Sequence, residues 1–191
     1  MKGKLVLVVG PSGAGKDSLI DAAKKHFTGD ANFVFPRRVI TRHATQAAED
    51  HDTLSPEAFL RAQAQGAFFL DWQAHDLSYG LPASMGDDLR LGKVVIVNVS
   101  RTVLAKAAEV WPNTTVIVVT APPHILAARV SARARKEDGD IQKRISRSID
   151  APTDTLPRII ISNDRTLEEA AQEFYAAING LIAHEGFTQP R

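Results

Sequence analysis

Residues 10–18 read GPSGAGKDS and follow directly on the apolar run KLVLVV at residues 4–9. An apolar run of this length, a glycine-rich turn and then a helical pattern are typical of a phosphate-binding loop between a buried strand and a helix. The pattern G-x-x-x-x-G-K-[ST] fits from Gly10 through Lys16, but Asp17 stands where a hydroxyl residue is usual. The stretch therefore predicts a site for a phosphate-bearing ligand with an unusual residue at its edge.

Other short apolar runs indicate the sheet that carries this loop. They are KVVIVNV at 93–99, TTVIVVT at 114–120, RIIIS at 158–162 and FVFPRRVIT at 33–41, the last interrupted by a proline. Strands that are apolar on both faces belong to a parallel sheet covered by helices on each side. Helical patterns fall at 17–26, 55–65, 101–109, 123–135, 139–149 and 166–183. The alternation predicts an α/β fold, a three-layer α/β/α sandwich with a mostly parallel sheet.

Two stretches fit this sandwich less well. Residues from about 36 to 85 are rich in Arg, His, Asp and Gly and show few strong periodic elements, which suggests a ligand-binding insertion carried by the sheet. Residues 129–148 read RVSARARKEDGDIQKRISRS, a dense set of basic side chains. A solvated pair of helices is one interpretation of that stretch, and a cationic cover over the phosphate loop is the other.

Composition limits what the chain binds. With 191 residues, 44% of them hydrophobic, it has enough apolar material for one domain, residues 1–191. Its 23 basic and 22 acidic residues leave a formal charge of +1, so no overall field attracts nucleic acid or an anionic membrane. The absence of cysteine excludes disulfides and a cysteine nucleophile, and it agrees with a reducing cytoplasm. No signal peptide and no membrane helix are expected from the apolar runs.

The loop residues have chemical roles that follow from their type. Gly10, Gly13 and Gly15 leave room for backbone N–H groups to converge on phosphate oxygens at the positive end of the following helix. Lys16 can bridge the β- and γ-phosphates of a nucleotide and follow the charge during phosphoryl transfer. A glycine turn that holds no ligand is the alternative.

Two residues at the expected Mg²⁺ site differ from the usual pattern. Asn98 ends the run VVIVN, where many nucleotide hydrolases place a carboxylate that orients Mg²⁺. Asp17 is the predicted metal residue, acting directly or through water, and Ser18 is a weaker substitute. Because Mg²⁺ keeps several waters and few protein ligands, nucleotide oxygens are expected to hold most of it. Asp17 is also an ordinary carboxylate in a first helical turn.

The order of motifs resembles that of the guanylate kinase group of nucleoside monophosphate kinases, over nearly the whole chain. The motifs are GPSGAGK, TR at 41–42, FFLDWQAHDLSYG at 68–80, the basic stretch, and SND at 162–164. The resemblance implies a P-loop NTPase fold in which residues 1–35, 86–130 and 143–191 form a core for ATP. It further implies a substrate-binding insertion at about 36–85 and a basic lid at about 131–142.

The departures from guanylate kinases concern the acceptor. Those enzymes grip the substrate phosphate with S-x-x-x-R-x-x-R, and the matching positions here read Arg38, Arg42 and Thr45. The acidic residue that reads guanine survives as the shorter Asp71, and the two residues that assist it are lost. A site that loses such hydrogen-bonding partners loses most of its discrimination, so GMP is not the predicted acceptor.

The stretches GPSGAGKDS and DWQAHDLSYGLP resemble instead the ribose 1,5-bisphosphate phosphokinase branch of the group. That resemblance implies transfer of the γ-phosphoryl of ATP to ribose 1,5-bisphosphate, giving 5-phosphoribosyl 1-diphosphate and ADP, in phosphonate use. The predicted acceptor-binding residues are Arg37, Arg38, Arg42, Asp71 and Tyr79. Guanidinium groups suit two phosphates because each presents two parallel donors.

Arg133 and Arg144 match the lid arginines of the guanylate kinase group, which implies that they stabilise the charge that develops during transfer. Arg129 and Arg135 are the alternative candidates for this role. For each of these arginines, simple solvent exposure is an equally good interpretation. Asn163 is expected to border the adenine, and a cap for the last helix is its alternative role. The predicted ATP contacts are Gly10, Pro11, Ser12, Gly13, Ala14, Gly15, Lys16, Asp17, Ser18 and Asn163.

The predicted partners are ATP and ribose 1,5-bisphosphate as substrates and Mg²⁺ as cofactor, with no nucleic acid and no membrane. A homodimer is left open. A guanylate kinase or another nucleoside monophosphate kinase is the nearest alternative function. A catalytically silent binding module of the same fold is the other, and the retained Lys16 argues against it.

Overall fold

The computed structural model describes residues 3–41, 51–74, 76–133 and 156–183. The strands in these ranges are β1 (Lys4–Val9), β2 (Phe33–Val34), β3 (Arg38–Ile40), β4 (His51–Thr53), β5 (Phe68–Ala74), β6 (Leu77–Pro82), β7 (Val94–Asn98), β8 (Thr114–Thr120) and β9 (Arg158–Ser162). The helices are α1 (Lys16–His26), α2 (Pro56–Ala64), α3 (Ser84–Arg90), α4 (Leu104–Val110), α5 (Pro123–Arg133) and α6 (Leu167–Ala183). A short 3₁₀ turn, Arg101–Val103, leads into α4.

The central sheet has five parallel strands in the order β2-β7-β1-β8-β9. All four uninterrupted runs predicted as strands belong to it, which confirms the predicted α/β class. β1 lies in the middle, and its residues 5–9 are at most 2% exposed because both faces of the strand are covered. Because β1 and β7 run parallel, their carboxyl ends lie at the same edge of the sheet, where the phosphate loop begins.

Two hydrophobic cores cover the two faces of this sheet, as the alternation of side chains along a strand requires. Val6 and Val8 pack with residues of α1 and α6, including the fully buried Phe174. Leu5 and Leu7 pack on the opposite side with residues of α3, α4, β5 and β6. Within the described ranges no helix is long and apolar enough to cross a membrane.

A second sheet of four strands, in the order β4-β3-β6-β5, stands in the region predicted to have few strong elements. That expectation was wrong for 51–74 and 76–85, where β4, β5, β6 and the start of α3 form, whereas α2 confirms the helix predicted at 55–65. β5 shows the signal that was missed, because Leu70 and Trp72 are buried while Asp71 between them and Gln73 after them are more exposed.

The interrupted run 33–41 is two strands in two different sheets. Phe33 and Val34 pair with β7 of the central sheet, whereas residues 38–40 pair with β4 and β6. Pro36 lies between the two strands and has no N–H for a ladder, so the chain can change sheets there. This crossing places Arg38 at the start of β3 and close to α1, where Nη2 of Arg38 lies 4.0 Å from Asp17.

The ends of α1, α2, α4 and α6 agree with the predicted helices to within a few residues, whereas α3 was not predicted. Ser55 caps α2 by accepting a hydrogen bond from the Ala58 amide. Thr166 and Glu169 form a capping box at the start of α6, since the Glu169 carboxylate accepts from the Thr166 amide over 3.0 Å and the Thr166 hydroxyl accepts from the Glu169 amide over 3.3 Å. The predicted helix 139–149 and most of the predicted lid lie outside the described residues.

Candidate active site

The glycines of the loop are required by the backbone geometry. Gly15 has φ +86°, and an added Cβ would lie 2.3 Å from Nδ2 of Asn163. Gly10 has φ +154°, and a Cβ there would lie 2.0 Å from the carbonyl oxygen of Val119 in β8. No side chain fits either space, so the loop backbone lies against the end of the sheet with its N–H groups at the start of α1.

Lys16 folds back over the loop that precedes it. Its Nζ donates to the carbonyl oxygens of Gly10 and Pro11 over 2.9 and 3.0 Å. The ammonium therefore lies within hydrogen-bonding distance of the loop backbone, where it can exchange these carbonyls for phosphate oxygens.

Asn163 supports the loop from beneath. Its side chain donates from Nδ2 to the Ala14 carbonyl over 2.7 Å, and its own amide donates to Thr120 over 2.7 Å. Arg129 of α5 donates to the carbonyl of Asn163 over 2.9 Å. Asn163 is 4% exposed, and the helix cap falls to Thr166 instead. That it borders adenine stays a prediction.

Asp17 lies at the meeting point of three elements. Asn98, at the end of β7, donates from Nδ2 to Asp17 Oδ1 over 2.7 Å. Nη2 of Arg38, in β3, lies 4.0 Å from the same oxygen. Sequence reasoning noted the neutral Asn98 but did not predict that it bonds the carboxylate.

A single carboxylate is what Mg²⁺ needs here. Mg²⁺ at a nucleotide site is usually held through one or two carboxylates together with phosphate oxygens and water. Within the described residues, no group of three or more His, Cys, Asp or Glu could hold a metal by itself. Both contacts of Asp17 in these ranges fall on Oδ1. The donor set thus fits a metal brought with a nucleotide, with Asp17 at its edge.

The two neighbouring arginines have different surroundings. Arg38 carries a side chain that is 14% exposed, whereas that of Arg37 is 53% exposed. Arg37 donates to the carbonyl of His51 over 3.1 Å and lies 3.2 Å from Asp52. Arg37 thus braces β4, and Arg38 contacts the residue that follows the loop lysine.

Tyr79 and Asp71 leave opposite faces of the second sheet. Tyr79 pairs with Ile40 and with Trp72, on whose ring it stacks at 5.2 Å. Because alternate residues share a face, Arg38 lies on the Tyr79 face. Asp71 lies opposite Gly80, so the structure does not bring its side chain together with Tyr79.

Asp71 already has partners that sequence reasoning missed. Gln63 of α2 donates to its Oδ1 over 2.9 Å, and Lys106 of α4 lies 3.3 Å from its Oδ2. Lys106 also donates to the backbone carbonyl of Asp71 over 3.1 Å. No sequence pattern links three residues on separate elements, because only the fold brings them together.

Arg101 is a further cation that the sequence analysis did not select. It begins the 3₁₀ turn three residues after Asn98, at the same edge of the sheet. Burial lowers the pKa of its guanidinium from the ordinary value. Because the ordinary pKa of an arginine lies far above neutral pH, Arg101 stays charged there despite this lowering.

Several predicted site residues fall where the structure is not described. Arg42, Arg135 and Arg144 lie outside the described residues. Arg133 is the last residue of α5, and only its backbone is described. Their assignment to the acceptor and to the lid stays a prediction.

A glycine loop closed by a lysine at the end of the central strand, with a part-buried arginine facing it from a second sheet, defines a P-loop kinase. Among solved structures, the chain is similar to guanylate kinase from Anaplasma phagocytophilum, with a TM-score of 0.69, 21% identity, and coverage of 98% of this chain and 88% of that one. At this identity the likeness concerns the fold. No family model matches the chain.

Curated relatives are more similar in sequence. The ribose 1,5-bisphosphate phosphokinase PhnN of Bradyrhizobium diazoefficiens is 51% identical over 148 residues, which cover 78% of this chain and 74% of the relative. The protein of the same name from Rhodopseudomonas palustris is 50% identical over 161 residues, 84% of this chain and 80% of the relative. The chain belongs to the ribose 1,5-bisphosphate phosphokinase family, which confirms the resemblance drawn from the motifs.

Proposed function

We propose that this chain catalyses transfer of the γ-phosphoryl group of ATP to ribose 1,5-bisphosphate, with 5-phosphoribosyl 1-diphosphate and ADP as products. The single observation that carries the proposal is the position of Arg38. Its guanidinium, a cation suited to an acceptor phosphate, lies 4.0 Å from the residue that directly follows the loop lysine. The shared name of the relatives points to the same acceptor.

The proposed step moves one phosphoryl group. An oxygen of the acceptor 1-phosphate forms a bond to the γ-phosphorus, and the bond from that phosphorus to the β,γ-bridging oxygen breaks, so ADP leaves with the electron pair. The acceptor oxygen is already ionised near neutral pH, so no general base is needed. Catalysis then depends on alignment and on stabilising charge.

The loop provides most of the nucleotide site in this proposal. The backbone N–H groups between Gly10 and Ser18, Pro11 excepted, surround the phosphates, and Lys16 exchanges the carbonyls of Gly10 and Pro11 for β- and γ-oxygens. When bound, Mg²⁺ would neutralise charge on those oxygens, and Asp17 is assigned to hold it directly or through water. Arg133 and Arg144 are assigned to the charge that develops in transfer, and Asn163 to the border of the adenine site.

The acceptor site is assigned to Arg37, Arg38, Arg42, Asp71 and Tyr79. The geometry supports Arg38 and Tyr79 most directly, since they share the face of the second sheet. Arg37 and Asp71 are engaged by Asp52 and by Lys106, so they take part only if those contacts rearrange.

The proposed function also includes a cellular location, substrates and a domain organisation. We place it in the cytoplasm, with ATP and ribose 1,5-bisphosphate as its small-molecule partners, in a pathway of phosphonate use. Residues 1–191 are assigned to one kinase domain with an insertion at about 36–85 and a lid at about 131–142. A homodimer is compatible with this assignment, and neither nucleic acid nor a membrane is required by it.

The test is an ADP-release assay with a panel of acceptors, combined with phosphorus NMR. With ribose 1,5-bisphosphate as acceptor, the enzyme should release ADP, and the NMR spectrum should show the coupled phosphorus resonances of a new diphosphate. With GMP or ribose 5-phosphate, little ADP should be released. Lys16→Ala serves as the inactive control. ADP release with GMP while the sugar bisphosphate stays unchanged would favour a guanylate kinase. No ATP binding at all would favour a silent binding module.

A further inference from the structure

The carboxylate expected at the metal position stands at position 17, after the loop lysine, and a neutral residue, Asn98, stands at the end of the neighbouring strand. In P-loop NTPases Mg²⁺ is held by a Ser or Thr after the loop lysine and by an Asp at the end of a neighbouring strand. Here Asp17 follows Lys16 and Asn98 ends β7, and the two side chains are joined by a hydrogen bond of 2.7 Å. The pair keeps one negative charge and one hydrogen bond, but the charge now lies on the first turn of α1.

That exchange places the charge beside Arg38. The Asp17 carboxylate and the Arg38 guanidinium approach to 4.0 Å, with side-chain exposures of 42% and 14%. The electrostatic attraction between a guanidinium and a nearby anion is stronger when the guanidinium is mostly buried, because water screens it less. Asp17, Arg38 and Asn98 line one pocket together with Phe35 and Ile96.

We propose that Asp17 is a positioning residue for Arg38, and that it joins the phosphate loop to the acceptor site. Asn98 holds the carboxylate in place by donating to Oδ1, which a carboxylate at position 98 could not do without repulsion. The inference rests on the proposed function, since it takes Arg38 to contact the acceptor phosphate. Its consequence is that the acceptor site is organised before nucleotide or metal arrives.

The test is calorimetric binding of ribose 1,5-bisphosphate in the absence of nucleotide and divalent metal. Asp17→Asn keeps the shape of the side chain and removes its charge, and we expect acceptor binding about tenfold weaker. Arg38→Met should weaken it at least as much. The double variant should be no weaker than Arg38→Met alone, because the two residues act through one contact.

Asp21→Asn is the matched control. Asp21 lies one turn further along α1 and lines the same pocket, but its ion-pair partner is Lys24 at 3.8 Å. We expect its acceptor affinity to equal that of the wild type. If Asp17→Asn does not fold, Asn98→Ala provides the same test, since it removes the hydrogen bond that holds the carboxylate and should also weaken acceptor binding.

The exchanged double variant D17S/N98D separates this role from a metal role. It restores the usual arrangement of a hydroxyl after the lysine and a carboxylate on the strand, so the Mg²⁺ concentration needed for half-maximal activity should stay near that of the wild type. Acceptor binding without metal should stay weaker than in the wild type, because the carboxylate then lies on β7 and no longer occupies the position 4.0 Å from Arg38 Nη2.

Two results would overturn the inference alone: wild-type acceptor affinity in Asp17→Asn without metal, or additive losses in the Asp17→Asn, Arg38→Met double variant. Failure of the wild-type enzyme to bind ribose 1,5-bisphosphate is a different outcome. It would remove the proposed function, and the inference with it.

Discussion

The side-chain amide of Asn163 lies 2.3 Å from the point where a Cβ on Gly15 would stand. The same amide donates to the Ala14 carbonyl over 2.7 Å, so a residue just beyond the last strand of the sheet supports the loop after the first. The loop therefore depends on contacts across most of the chain, and substitutions at its glycines have consequences that differ from those at other glycines.

Gly15→Ala is expected to destabilise the protein and to impair ATP binding. The residue has φ +86°, which costs an alanine about 1–2 kcal/mol, and the methyl group must displace Asn163. We expect the free energy of unfolding to fall by about 2–4 kcal/mol. Urea unfolding and ATP calorimetry measure the two effects.

Gly66→Ala is the control for backbone strain, because Gly66 has φ +70° and nothing within 4 Å of an added Cβ. It should lose only about 1–2 kcal/mol and bind ATP normally. Equal effects of the two substitutions would show that Asn163 does not restrict position 15.

Lys16→Ala should abolish phosphoryl transfer while leaving most of the stability. The loss of an ammonium that stabilises transferring phosphate is expected to lower kcat by about 10²-fold or more. The two hydrogen bonds to Gly10 and Pro11 account for about 2 kcal/mol at most. Steady-state kinetics and thermal unfolding check both parts, with the exposed Lys25→Ala on the same helix as control. Turnover at the wild-type rate would reject the role of Lys16.

Arg38→Met should raise the KM for the acceptor far more than Arg37→Met does. The Arg38 side chain is 14% exposed and lies beside Asp17, whereas that of Arg37 is 53% exposed and braces Asp52. We expect an increase of about tenfold or more for Arg38 and of about threefold or less for Arg37. The KM for ATP should stay within about twofold of the wild-type value in both variants. A larger effect of Arg37 would mean that its contacts to β4 rearrange when the acceptor binds.

The capping box at α6 should make stability depend on pH. Hydrogen bonds from the hydroxyl and then the amide of Thr166 lower the pKa of Glu169 from its ordinary 4.5. Because the pKa is lower in the folded state, the carboxylate stabilises the fold above pH 4.5, and this contribution is lost as the pH falls through the folded pKa.

Glu169→Gln should therefore be less stable than the wild type near neutral pH, and the difference should shrink as the pH falls through the folded pKa of the wild-type carboxyl. Urea midpoints measured across this range test the expectation. Glu168→Gln, in the same helical turn but outside the capping box, is the control and should leave the capping hydrogen bonds intact. A Glu169→Gln difference that is constant with pH would mean that the charge does not contribute.

Local patterns were sufficient for the central sheet and the phosphate loop. Strands such as β1 and β8 are continuous apolar runs, and the glycines and Lys16 stand at a spacing that few other functions require. The second sheet was not predicted because β3 and β4 have only three residues each, and β5 alternates buried and more exposed side chains instead of forming a continuous apolar run. Pro36 marked a break in a strand, but nothing local indicated that the chain changes sheets there.

The sequence alone determined the class of the protein, since the order of strand, glycine loop and helix encodes its own local geometry and the departures at Asp17 and Asn98 can be read in single letters. Only the tertiary structure decided which charges meet. Arg38 reaches Asp17, Arg37 turns to Asp52, and Asp71 pairs with Lys106. Those partners are set by how two sheets and their helices pack, and the attraction between charges depends on distances that no local pattern encodes.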